Sequence, residues 1–273
     1  MNPILRRIIV LGTPFVLSIL LITHPVFSDH AGLLSSILPQ LNWWLTIHVL
    51  LLPLFCLLAL AAYLLTDTIH RTAATVSRVA LFIFLIFYPT LDSLVGIGVG
   101  TLVRYASTIP SSQQKVIENV IIAFVQNPIG SILAVLGSLG WEIGLLAAAI
   151  AISRPNNFRL PITILSIVAI LFYLWSLVGG IGTPIWWTIV LIISILFGLV
   201  LKPRLPVGLL ILASFLFGAS HTPPFGPLGI ACFFLAALQR EFVSWKATST
   251  KLTTQSDETN SIDVLRVYPK TEG

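Results

Sequence analysis

The chain has 273 residues, of which 56% are hydrophobic and only 9% charged, with a mean hydropathy of +0.99. Soluble domains carry roughly 25% charged residues, so a water-soluble globule is excluded and the solvent that shaped this sequence is mostly lipid. The net charge of +5 comes without a basic cluster: Lys and Arg sit in pairs at the ends of apolar runs, as topological anchors do, and no nucleic-acid partner is expected.

The first apolar run, Ile8 to Phe27, follows Arg6 and Arg7 in the manner of a signal peptide. It is as long as a full span and no A-x-A cleavage site follows it, so a retained first helix is expected. The next loop, Ser28 to Asn42, contains a candidate interfacial helix, Gly32 to Leu38, and leads into Trp43 and Trp44, whose indoles fit an aromatic belt. Further runs are Trp43 to Leu65, Val79 to Val103, Pro128 to Ile152, Leu160 to Val178 and Pro184 to Leu201. All have the roughly 17 to 25 residues that ~30 Å of hydrocarbon requires. Between two of them, Ser111 to Gln126 is mixed polar and apolar and is expected on the outer surface.

The last apolar stretch, Leu205 to Gln239, is too long for one span and is broken by His-Thr-Pro-Pro-Phe-Gly-Pro at 221 to 227. Either one helix crosses and continues along the interface, or two short helices form a hairpin whose tip is the proline turn. Charge arbitrates. With the N-terminus cytoplasmic, inner segments hold Arg6 and Arg7, Arg71 and Arg78, Arg154 and Arg159, then Lys202 and Arg204, whereas outer loops hold only Arg104 and Lys115. Arg240, Lys246 and Lys251 join the inner side only if the stretch returns, which favours the hairpin. The expected fold is thus an all-α, polytopic transmembrane bundle of seven or eight segments with a cytoplasmic N-terminus. Residues 1–245 form the membrane domain and residues 246–273, rich in Ser, Thr, Lys and Asp, a polar and disordered cytoplasmic tail. A plasma (inner) membrane with lipids as the surrounding partners is the expected setting.

In hydrocarbon each polar group needs a reason. Cys56 and Cys232 lie in apolar runs without a CxxC or CxxH neighbour and read as small hydrophobes. The topology puts His24, His30, His48 and His221 on the outer side and His70 in the first inner loop. At ~1.5 Å rise per residue, His24 and His48 lie roughly 6 to 8 Å below the outer boundary, with His221 at a comparable level. Three imidazoles from three helices at one depth could hold a divalent metal with an open position, zinc, copper or iron being suited to neutral nitrogen ligands. The blander alternative is that they cap carbonyls freed beside Pro25 and Pro223. Haem would need propionate partners that the outer side scarcely offers.

Asp92 and Glu142 are the only acids within apolar runs. Tyr88, Asp92, Gly96 and Gly100 share one helical face, so Asp92 is expected to point into the bundle, either as a proton or cation relay or held by Tyr88. Glu142 lies opposite the face carrying Gly140 and Gly144, with Ser138 one turn earlier as a local partner. By the same depth reckoning Asp92 lies as much as 10 Å below the histidines, which makes it a poor fourth ligand. No apolar run holds a lysine for a Schiff base, and Walker, EF-hand, CxxC and GxSxG patterns are absent. The sequence assigns no activity to this multi-pass membrane protein; behind that, three functions stay open, in this order: a small-solute or ion-coupled transporter using Asp92 and Glu142, an outward-facing metal-dependent enzyme using His24, His48 and His221, and a non-catalytic membrane partner protein.

Overall fold

The computed structural model describes residues 1–25, 32–153 and 205–242. The expected spans Leu160 to Val178 and Pro184 to Leu201, His30 and the tail 246–273 lie outside the described residues. Among the described residues every regular element is helical. Four helices are long and apolar enough to cross a membrane: α1 (Pro3–Ile22), α2 (Leu33–Leu64), α3 (Thr72–Ala106) and α5 (Pro128–Ile152). Between α3 and α5 lies α4 (Ser111–Val125). The shorter apolar α6 (Leu205–Ala219) is followed by a second helix, α7, over residues 225–242.

Local sequence starts these helices. Asn2 Oδ1 accepts from the Ile4 amide at 2.8 Å with Pro3 in the first turn of α1, and Asn127 Oδ1 accepts from Ile129 at 2.9 Å with Pro128 opening α5. Each pairing satisfies one orphan amide and spends proline where no donor is needed. Arginines finish them. Arg71 donates to the Ala151 and Ser153 carbonyls at the end of α5, and Arg78 to those of Thr66, Asp67 and Ile69 after α2. Cations thus meet the negative ends of helix dipoles at the same bundle end that the sequence assigns to the cytoplasm.

Helix α3 packs most extensively on α5, antiparallel, with Gly137, Gly140 and Gly144 set against Tyr88, Phe84 and Leu81 in turn. A Cβ on Gly140 would come within 2.6 Å of the Phe84 amide nitrogen, so only glycine allows this approach. The opposite flank of α5 meets α6, where Ser214 Oγ donates to the Glu142 carbonyl and Gly218 lies against the Glu142 side chain. Two interfaces therefore flank α5, which is how glycines and glutamate on opposite faces both avoid lipid.

Residues 205–242 form the hairpin. Gly229 of α7 lies against Phe217 and Leu216 of α6. Along α1, Ser18 donates to the Pro227 carbonyl at 3.1 Å, Phe15 packs on Phe234 at 5.7 Å and Arg6 pairs with Glu241 at 3.3 Å. Helix α7 therefore runs antiparallel to α1 and returns to the end where the chain begins. There Arg6 also holds Asp67 at 2.6 Å and the Leu64 carbonyl. At the other end, α4 and the first turns of α2 cover the end of α3 with a small apolar cluster that includes Ile37, Trp44, Val103 and Ile121.

Candidate metal centre

Three elements that are distant in sequence deliver three imidazoles to one place. His24 follows the last turn of α1, His48 lies in α2 and His221 opens the turn between α6 and α7. One ligand atom from each can be chosen so that all three lie within 4.8 Å of one another. The His24 ring centroid is 5.1 Å from that of His48 and 4.9 Å from that of His221. Asp92 of α3 closes the group, with Oδ1 3.9 Å from Nε2 of both His48 and His221. Donors at 2.0 to 2.1 Å from a tetrahedral ion stand roughly 3.4 Å apart. The three imidazoles thus form a slightly expanded coordination shell that could hold a metal ion after side-chain movements of about an ångström, with Asp92 beside it.

Outer hydrogen bonds aim two of these ligands. His24 Nδ1 lies 2.8 Å from the Pro25 carbonyl oxygen and His48 Nδ1 2.7 Å from that of Trp44. A carbonyl only accepts, so in each neutral imidazole Nδ1 carries the proton and Nε2 presents a lone pair. His24 Nε2 has no hydrogen-bond partner, and neither does either carboxylate oxygen of Asp92. Orphaned buried acceptors are costly, and here they lie together beside two further ring nitrogens, where one ion could meet them. His221 differs: its Nδ1 faces the Tyr88 hydroxyl at 3.1 Å.

The backbone of α3 makes room for this. Pro89 removes an amide from the helix and the segment Ser93–Gly98 winds as a π-helix, a local widening found often at functional sites. The Gly96 carbonyl accepts from Trp44 Nε1 at 2.7 Å. A Cβ on Gly96 would overlap the His48 ring, so glycine there lets α2 bring the imidazole against α3.

His24, His48 and Asp92 are buried, 5%, 2% and 3% exposed, whereas the His221 side chain is 22% exposed. Access is therefore past the hairpin turn. Below the histidines Phe55, Tyr88, Phe84, Phe217 and Trp141 pack with ring centroids 5.0 to 5.8 Å apart at successive contacts, a dry floor.

Several sequence expectations change. Asp92 is not below the histidines. The hydropathy run starts α2 at Trp43, but the helix begins at Leu33, which sets His48 deeper, while α3 continues to Ala106. Measured from these true ends, His48 lies fifteen residues inside α2 and Asp92 fourteen inside α3, at one level. Trp44 is no belt residue, for it is 2% exposed and lies 4.3 Å from His48, ring to ring. Trp43, by contrast, is exposed and its Nε1 donates to the Thr23 carbonyl. Ser138 is not the partner of Glu142, whose carboxylate oxygens make no hydrogen bond. Glu142 is not brought to Asp92 either: the α3–α5 pairing sets Gly140 against Phe84, which separates the two acids by about 15 Å along the helices. His70 is exposed at the opposite end of the bundle. Sequence reasoning missed Trp44 and Gly96 as walls of the site, although the Trp44 to His48 spacing of one helical turn was a usable signal.

Comparison with known proteins adds no relative: no family model, no curated protein and no solved structure matches the chain.

Proposed function

We propose that this membrane protein is an outward-facing, metal-dependent enzyme of the hydrolytic class, with His24, His48 and His221 as ligands of one divalent ion. The observation that carries the reading is the convergence of three imidazoles, two of them 3.9 Å from a buried carboxylate that accepts no hydrogen bond. His24, His48 and His221 would hold a zinc ion, a metal suited to this donor set, which when bound would supply a water of lowered pKa. Asp92, the buried carboxylate beside the imidazoles, would hold the proton given up by water during attack on an acyl carbon. The C–O or C–N bond then breaks and Asp92 returns the proton to the leaving group, so that water is the only co-reactant. An acyl ester or amide fits better than a phosphoester. Among the described residues the cations on this side are Arg104, exposed on α3, and Lys115, paired with Glu118 at 2.9 Å, and neither lines the site to neutralise a phosphate.

The transport reading loses support from two features: the separation of Asp92 from Glu142, and the aromatic floor between the site and the opposite end. A setting in a plasma membrane, with lipids as the immediate partners, belongs to the same proposal. Elemental analysis of the full chain purified in detergent tests it. One metal per chain is expected, lost in a variant with His24, His48 and His221 all changed to Ala, and metal-free wild-type protein overturns the reading. Proton uptake into liposomes that is abolished by Asp92→Asn would instead restore transport.

A further inference from the structure

Within the metal-centre reading just given, one ligand is held differently from the other two. His24 and His48 have their tautomers fixed by carbonyl oxygens, which can only accept. His221 faces the Tyr88 hydroxyl, and a phenol both donates and accepts. Two arrangements are open to the pair. If Tyr88 donates to Nδ1, the His221 proton sits on Nε2, towards Asp92 Oδ1 at 3.9 Å, and that nitrogen cannot ligate. If Nδ1–H donates to the Tyr88 oxygen, Nε2 is bare and the third ligand exists.

We infer that Tyr88 is a positioning residue that selects the His221 tautomer, so that metal entry reverses the hydrogen bond between them. The fold keeps Tyr88 in place for this. The residue is 3% exposed, stacks on Phe84 at 5.0 Å and sits in the notch left by Gly137, where a Cβ would come within 2.9 Å of its ring. His221, by contrast, lies at a turn and is the most exposed of the four groups, so its orientation depends on this bond more than on packing. Outer partners of metal-bound histidines set ligand tautomer and basicity, and their loss costs about 10- to 100-fold in metal affinity.

The test is zinc titration of the full-length protein in detergent, wild type against Tyr88→Phe, with the ring nitrogens of 15N-labelled histidine observed by NMR. In wild type, zinc should move the His221 proton to Nδ1 while His24 and His48 keep theirs on Nδ1 throughout. In Tyr88→Phe the zinc affinity should fall about 10- to 100-fold, with the His24 and His48 signals unchanged. A Phe84→Leu variant, which loosens the same packing but leaves the phenol, should bind zinc within a few-fold of wild type. Undiminished affinity in Tyr88→Phe, or zinc-loaded wild type with the His221 proton on Nε2, overturns the proposal and leaves the metal centre standing. Wild-type protein that binds no zinc, nor any other divalent ion, overturns both. If Tyr88→Phe does not fold, the wild-type tautomer measurement alone decides.

Discussion

Asp92 owes its surroundings to residues one turn away on α3: Tyr88 towards His221 and Gly96 against the His48 ring. Gly96 gives the sharpest local prediction. Gly96→Ala should displace His48, destabilise the protein by about 1 to 3 kcal/mol as overpacking does, and lower metal content, measurable by thermal melting in detergent and elemental analysis of one preparation. Glu142 should behave in the opposite way. Its carboxyl is fully buried without a hydrogen bond, so Glu142→Gln should change the melting temperature by no more than about 1 kcal/mol warrants and leave bound metal untouched. A large loss of metal would show that the two acids act together after all. At this scale the sequence is partly legible. The shared face of Tyr88, Asp92, Gly96 and Gly100 follows from helical spacing, whereas the role of Trp44 depends on which neighbour α2 meets, which spacing does not encode.

Among elements, the glycine seam between α3 and α5 does most to set the frame. In lipid there is no hydrophobic driving force between helices, so close backbone approach and the packing it allows must hold them together. Gly140→Leu should therefore cost more than the same change on a lipid-facing position such as Ile132, which is 56% exposed. Reversible unfolding in mixed micelles should show a difference of at least ~2 kcal/mol. The hairpin of α6 and α7 was foreseeable from the proline turn and the basic residues beyond it. The true ends of α2 and α3 were not. Both helices run past their apolar cores into a cluster closed by α4, and a hydropathy run stops where polar residues begin rather than where the helix does. The unread first turns of α2 set His48 too shallow, which is why Asp92 came out below it.

For the whole molecule, charge asymmetry aligns with geometry. Arg6, Asp67, Arg71, Arg78 and Glu241 gather at one end and the histidine group lies towards the other. In a background lacking Cys56 and Cys232, Ser107→Cys should react with a membrane-impermeant maleimide added to intact cells and His70→Cys should not; both residues are exposed at opposite ends. The reverse pattern would turn the site towards the cytoplasm and remove the outward-facing reading. Arg6 ties α1 to both α2 and α7, and Arg6→Ala should destabilise the bundle by about 2 to 3 kcal/mol, read by the same unfolding assay, because Asp67 and Glu241 lose a charged partner.

The first and last described helices, α1 and α7, lie side by side, and this orders biogenesis. His24, His48 and Asp92 leave the ribosome well before His221, so an unfinished chain offers an incomplete set of donors to any ion it encounters. On the metal-centre reading, loading waits until the hairpin of α6 and α7 has inserted, and a product truncated ahead of residue 221 should emerge as apoprotein however much metal the cell supplies.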